Sequence, residues 1–475
     1  MSINLLLEMS RRSFRALDAA MNATGQNVAN AETEGYARRR VVMHPNSVST
    51  QGVLTRPPVG TVLGAGVSIS TYERVRDGML QRSGWELNAG IGYSDEEKRV
   101  LGALEGLFPT GSDGTLGTQL GQFWNAWRDL ADSPTDTGAR LALRSRASGL
   151  ATTFNRLDAD IRALQGETQT ALSEGIDKAN GLFKKIADLN EKIAYARHSG
   201  SPDLDAEDER ERLVGQLSEL VPVRVQEGKL GAFTVTVGGM AVVQDQQVLP
   251  LELDASGTPP TVRFKGTNVT YRNDGDASGR IGSWMTMLEE TFPDTLAALD
   301  DLAGTLVRQV NTHHAAGFGL DGTTGVNFFH FVDNGGVGDE GVTAASIRLS
   351  DEVRQDSRHI AASAGDPTDP LAGASDSDIA NAIAGLQDAM LVGGEPSENF
   401  VINLVSGIGA RIERASGQHE ARTTAATHVE AMERGVSGVS IEEEMTNLIQ
   451  YQHAFQASAR VLNTVQQMLD TLLSM

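Results

Sequence analysis

Apolar positions recur at alternating steps of four and three from the first residues onward. Ile3, Leu7, Ser10, Phe14, Leu17, Met21, Thr24 and Val28 fall on one line. That is a heptad seam, and it predicts a helix over residues 1 to 30 whose stripe packs against another helix. At about 1.5 Å per residue such a helix is about 45 Å long. Asn27, Asn30 and Thr33 favour leaving it, Gly35 permits the turn, and Tyr36 can anchor the exit by packing. "YARRRVVMHP" then reads as a short strand, and "VLTRPPVGTVLGAGVSIST" as extended chain punctuated by Gly and Pro.

The far end repeats the pattern. Ile441, Leu448, Phe455, Leu462 and Leu469 stand at every seventh position. Ser440 followed by Glu443 fits a capping box, and Glu442 to Glu444 sit in the first turn, where carboxylates complement the helix dipole. Two long seams at opposite ends invite pairing with each other or with neighbouring subunits.

Between them "GTQLGQFWNAWRDLADSP" predicts a helix broken at Pro134, and "TGARLALRSRASGLATTFNRLDADIRALQ" starts another. The seam Leu172, Ile176, Ala179, Phe183, Ile186, Asn190, Ile193 carries the latter toward residue 197. "HSGSPDLDAEDER" reads as an acidic surface turn and "ERLVGQLSELV" as a helix. From Val221 to about 275 the period becomes two, interrupted by Gly turns, which predicts a small β domain. Helical period returns near Ile281; a loop-rich stretch follows from Gly317 to about Pro370, then two more helices. The fold class is mainly α with an inserted β domain and paired long terminal helices. Residues 1–34 and 439–475 form the terminal helical domain, 35–199 and 276–438 the helical core, and 200–275 the β-rich outer domain.

Charge narrows the possible partners. With 62 acids against 40 bases, the net charge of -22 argues against a general affinity for nucleic acid or anionic membranes. Arg38, Arg39 and Arg40 are therefore expected to pair with acids of this or a neighbouring chain. On a strand, Arg38 and Arg40 would share one face and Arg39 take the other. The chain has no cysteine, which removes disulfides, thiol nucleophiles and cysteine-ligated metals together. No run of eighteen apolar residues offers a membrane span, so no membrane insertion is expected. No small-residue cleavage site follows a proper apolar region, so no cleaved secretory signal is expected either.

Candidate chemistry is thin. Nucleotide, zincin, nucleophile-elbow and EF-hand signatures are missing. "GLDGTTGVNFFHF" lacks the alternating acids of a calcium loop and reads as a turn. "VLGAGV" lacks the third Gly and the helix of a dinucleotide loop. His313 and His314 are adjacent, so on a helix they point about 100° apart, the wrong geometry for sharing a metal. The expectation is no catalytic residue, no cofactor and no metal.

The ends carry a more specific signal. "MNATGQNVANAETEGYARRRVV" and "SGVSIEEEMTNLIQYQHAFQASARVLNTVQQMLDTLL" closely resemble the terminal signatures of the bacterial flagellar axial proteins (rod, hook and hook-associated). The markers are Asn27-Val28-Ala29-Asn30, Gly35-Tyr36, the acidic triplet, Leu448, Tyr451-Gln452, Ala457, Arg460 and Leu462. Interior blocks resemble the hook-associated branch in the same order, among them "QFWNAWRDLADSPTDTGARLALRSRASGLATTFN" and "LVRQVNTHHAAGFGLDGTTGVNFF".

The resemblance implies a structural protein that forms a ring of copies between hook and filament. It would have hook protein on one side and a second junction protein, hook-associated protein 3, on the other. It also implies export, unfolded, through the flagellar type III apparatus, with a chaperone on the C-terminal helix and a final place outside the cell. Assembly residues so implied, with the two seams, are Leu7, Phe14, Leu17, Met21, Asn27, Asn30, Gly35, Tyr36, Ile441, Leu448, Tyr451, Phe455, Leu462 and Leu469. A hook or distal rod protein is the alternative within the family. A secreted enzyme or adhesin with coiled-coil ends is the alternative outside it.

Overall fold

The computed structural model describes residues 3–33, 35–46, 66–109, 114–272, 275, 277–330, 341–368 and 376–473. Helix α1 (Ile3–Ala29) carries the first seam and leads into strand β1 (Arg39–Pro45), which pairs antiparallel with β2 (Val67–Arg74). Most of the Gly/Pro-punctuated stretch between these strands lies outside the described residues.

Helix α2 (Gly78–Gly106) follows, then α3 (Leu116–Asp132), α4 (Thr137–His198) and α5 (Leu204–Leu220). The helix begun after Pro134 and the seam through Phe183 are one element of 62 residues, about 93 Å long. Asp136 caps it, accepting hydrogen bonds from the Gly138 and Ala139 amides.

Strands β3 (Arg224–Glu227), β4 (Phe233–Val237), β5 (Met240–Gln244) and β6 (Gln247–Val248) form an antiparallel meander. β7 (Leu251–Asp254) pairs with β8 (Thr261–Phe264). Phe233, Val235 and Val237 are buried, as the period of two requires. Two asparagines of α4 hold this β layer by imitating a strand. Asn190 accepts from the Phe233 amide at 2.9 Å and donates to its carbonyl at 2.8 Å; Asn180 does the same with Leu251. The polar position in the seam is therefore a clip.

Helices α6 (Gly279–Thr286) and α7 (Phe292–Ala315) are joined through a π turn, Met287–Thr291. Then come α8 (Asp351–Gln355), α9 (Asp378–Ala384), α10 (Ser397–Ser437) and α11 (Ile441–Leu473). One continuous hydrophobic core runs through α2 to α7, strands β4, β5, β7 and β8 and the loops around Phe328. Phe123, Trp124, Trp127, Phe328 and Phe329 stack within it at centroid distances of 4.9 to 6.3 Å.

One local reading needs correction. The acidic segment after residue 200 is not a surface turn: Asp203 caps α5, and Glu207 and Glu211 are buried on it. The acids are there because arginines from elsewhere reach them. Helix α2 had no clear period in the sequence because it packs on α5, α6 and α10, so its apolar positions fall on several sides. Gly92 sits where a Cβ would lie 2.2 Å from the Glu219 carbonyl oxygen, so only glycine lets α2 and α5 approach.

Candidate assembly site at the paired termini

Helices α1 and α11 pack against each other, and their register is antiparallel. Phe14 meets Phe455 edge-on at 4.8 Å, while Asn27 meets Glu444 nearer the other end. On α11 the covered line is Glu444, Leu448, Tyr451, Phe455, Ser458, Leu462, Val465 and Leu469, again at steps of four and three. Along α1, Leu7, Phe14, Leu17, Met21 and Val28 of the seam are half-buried, and Ser10 and Thr24 are buried. A second face of α1, Ala16, Ala20 and Ala23, is buried too. Ile3 has no described side chain.

Most large seam residues stop at half-burial because each helix offers its partner only one contact line. Val465, at 3% exposed, is the apolar exception on α11. Ile441 stays exposed, at 49%, and Glu444 takes the first inward position. By the register, Ile441 stands level with the last residue of α1, where no partner helix remains to cover it.

The joint below the seam is polar and closed. Asn27 is 1% exposed and uses its whole amide. Its Nδ2 donates to the Arg39 carbonyl at 3.0 Å and to Glu444 Oε2 at 3.1 Å. Its Oδ1 accepts from the Arg39 amide at 2.8 Å and from the Tyr36 hydroxyl at 3.0 Å. Glu444, 2% exposed, also accepts from Arg38 Nε at 2.8 Å. Buried polar groups are tolerated where each finds its partner, as here. Ser440 accepts from the Glu443 amide at 3.4 Å, one half of a capping box.

Gly35 makes the turn at φ +81°, in the left-handed region that favours glycine. Its carbonyl accepts from Arg76 at 2.7 Å. Tyr36 lies under the Arg39 guanidinium at 4.8 Å, and burial pushes its hydroxyl pKa above the usual value. Asn30 stays near the surface, bonded back to the Gln26 carbonyl at 3.0 Å.

Arginines of the strand pair plug into α5. Arg39 contacts Asp205 at 2.5 Å and Asp208 at 3.5 Å. Arg74 reaches Glu207 and Asp208 at 2.9 Å each, and Glu211 at 2.5 Å. Arg76 spans Glu211 at 3.2 Å and Glu433 of α10 at 2.8 Å. Burial raises the Asp208 pKa despite these partners. For Arg74 burial is the largest single effect and lowers the pKa, but Glu211, Glu207 and Asp208 together outweigh it and hold the group above the usual arginine value. The three arginines of the opening cluster go three ways: Arg38 to Glu443 and Glu444, Arg39 to α5, Arg40 to Glu73 at 3.3 Å.

Sequence reasoning missed Glu444, Arg74, Arg76 and the α5 acids as joint residues. Stepping back four from Leu448 reaches Glu444, so a seam signal was available. Nothing in the sequence marked Arg74 or Arg76.

The histidine pair carries no ligand geometry. His314 is buried, with Nδ1 2.7 Å from the Val326 carbonyl and Nε2 accepting from the Ala361 amide at 2.8 Å. Both ring nitrogens are used in tying two loops to α7. Among the described residues no group of three His, Asp or Glu side chains is placed to hold a metal, and no helix is long and apolar enough to cross a membrane.

Comparisons with known proteins agree with this architecture. Residues 101–329 match the family described as flagellar hook-associated protein FlgK helical domain, and residues 435–475 match flagellar basal body rod FlgEFG protein C-terminal. The chain is 26% identical over 501 positions to flagellar hook-associated protein 1 of Bacillus subtilis, covering 98% of this chain and 97% of the relative. Against the protein of the same name from Escherichia coli it is 24% identical over 564 positions, covering 99% of each. The solved flagellar hook junction protein FlgK from Burkholderia pseudomallei has a similar fold, with a TM-score of 0.64 at 14% identity. That match covers 76% of this chain and all of that one.

Proposed function

We propose that this chain, a member of the flagellar hook-associated protein family, is a structural subunit of the bacterial flagellum that joins hook to filament. The observation that carries the reading is the paired termini. A heptad pair left half-buried along most of its length, and locked to the body through a buried polar joint, suits a subunit completed by neighbours. In this reading residues 1–34 and 439–475 form the inner domain, 35–199 and 276–438 the body, and 200–275 the outer part. Copies form a ring, with hook protein on one face and hook-associated protein 3 on the other. The chain reaches that place outside the cell unfolded, through the type III export apparatus, and a chaperone covers the C-terminal helix beforehand. The protein works by packing and has no catalytic role.

Deleting the gene in its motile source strain tests this. The expected phenotype is hooks without filaments, with filament subunits shed into the medium. Normal filaments on the deletion strain would overturn it.

A further inference from the structure

The reading above says that copies meet through their terminal helices; the surfaces of α1 and α11 indicate which parts meet. Helix α11 opens with Ile441, Met445 and Ile449, exposed at 49, 43 and 50%. Spacings of four place them along one line that starts at the edge of the seam facing α1 and drifts away from it. One carboxylate flanks this stripe. Glu442, next to the line around the helix, is exposed and has no side-chain hydrogen bond or ion pair among the described residues, whereas Glu443 lies on the other side of the helix, 64% exposed and paired with Arg38. Two such stripes facing each other would set carboxylate against carboxylate, so the stripe does not complement itself.

Its complement lies on α1. In a chain of net charge -22, this helix carries three arginines against two acids, Glu8 and Asp18. Arg11 is 65% exposed and 3.8 Å from Glu8. Arg12 and Arg15 are exposed and have no ion-pair partner among the described residues. The Phe14–Phe455 contact puts Arg15 level with Phe455, thirteen residues or about 20 Å along α11 from Glu442. The arginine band therefore cannot reach the acidic stripe of its own molecule.

We propose that Arg11, Arg12 and Arg15 of one copy dock on the stripe Ile441–Met445–Ile449 and the flanking Glu442 on the next copy, with the two offset by about 20 Å along the helix axis. Arginine stems cover the aliphatic line while a guanidinium group meets Glu442. The contact joins two different patches. It therefore repeats from copy to copy in one direction, and it closes into a ring only where the paired helices tilt so that the shift runs around the ring and not along its axis.

The absence of native cysteine makes the test clean. In the deletion strain described above, the full chain is supplied with Arg15→Cys and Glu442→Cys together, and intact cells are oxidised. A disulfide needs Cα atoms within about 7 Å, so no bond can form inside one chain. A ladder of dimers, trimers and higher species on a non-reducing gel is expected. Arg15→Glu should reduce swimming several-fold, and adding Glu442→Arg should restore it. Filamented cells with no ladder, a ladder that stops at dimers, or a charge swap that fails to restore motility would each overturn this contact and leave the junction reading standing. A deletion strain with normal filaments would instead overturn the junction reading itself.

Discussion

Asn27 and Glu444 are 417 positions apart in the chain and share a buried hydrogen bond of 3.1 Å. That bond closes the chain on itself: the end of the first helix, the first strand and the start of the last helix meet at one amide. Replacing Asn27 by Leu would leave Glu444, the Tyr36 hydroxyl and the Arg39 backbone short of partners. The expected cost is about 2–4 kcal/mol, since each buried group left unpaired costs about 1–3 kcal/mol. The loss should be local. Hydrogen exchange of the α1 amides should speed up by tenfold or more while the melting of the body stays within a few degrees of wild type. A large drop in body stability would show that the termini and body unfold as one unit.

Gly35 tests backbone geometry alone. A Cβ there would meet nothing within 4 Å, so crowding is not the issue; the φ of +81° is. Gly35→Val should cost about 1–2 kcal/mol in the turn, and Gly35→Asn clearly less, because Asn tolerates this region. Assembly into flagella should suffer more than folding of the monomer. Equal loss of both in the Val variant would contradict the role of a joint.

How much of this was legible depends on how many sides of an element are covered. The seams of α1, α4 and α11 stood out because each has one contact line, and Asn190 and Glu444 look anomalous only until their partners are seen. Helix α2 was unreadable for the opposite reason. Its neighbours surround it, so Trp85 and Gly92 share one face while Tyr93 and Leu101 turn about 80° and 160° away from it, and no single period survives. The α5 acids were misjudged because a sequence displays charge without its partner: Glu207 and Glu211 look solvated until Arg74 is brought to them from 133 and 137 positions away. Long-range ion pairs leave no periodic trace.

Glycines of α2 separate these effects. Gly92→Ala would force its Cβ against a main-chain oxygen at 2.2 Å, so the α2–α5 contact must open, at a cost of about 3 kcal/mol or more. Gly102, in the same helix, has open space where a Cβ would go. Gly102→Ala should therefore stabilise by about 0.5–1 kcal/mol. Urea denaturation of the two variants should move the midpoint in opposite directions.

His314 gives the body a defined acid sensitivity. Burial is the main cause of its depressed pKa, about 4 against an ordinary 6.5, with the nearby Arg140 charge adding to it and the Val326 carbonyl opposing. The folded state holds the ring neutral, so between pH 6.5 and 4 the unfolded chain binds the extra proton. The stability contributed by this group is thus complete above about pH 6.5 and is lost as pH falls toward 4, by about 3 kcal/mol in total. Below pH 4 it adds no further slope. Unfolding free energy measured in urea from pH 7 down to 5.5 should fall with a slope approaching about 1.4 kcal/mol per pH unit from this residue. In His314→Gln the neutral-pH stability should be lower, because the fit to the Val326 carbonyl and Ala361 amide is impaired, and that part of the slope should vanish. An unchanged slope in the variant would mean the acid response arises elsewhere.

Arg74 is the strongest test of the link between terminal pair and body. It is the common partner of three carboxylates on α5, and its side chain is only 10% exposed. A buried ion pair contributes little net stability when both partners are replaced together by apolar groups, but removing one side strands the other. Arg74→Met would leave Asp208 and Glu211 to Arg39 and Arg76 and leave Glu207 to Arg197, with excess negative charge in a closed space. The expected loss is about 3–5 kcal/mol at neutral pH. Asp208, whose pKa burial already raises, should then take up a proton more readily. Part of the lost stability should therefore return as pH falls toward 5, opposite in sign to the His314 effect. Arg74→Met combined with Glu207→Gln and Glu211→Gln should recover much of the deficit at neutral pH. If the triple variant is as unstable as the single one, the contribution of Arg74 lies in its packing against the strand pair, and the carboxylates of α5 are held without it.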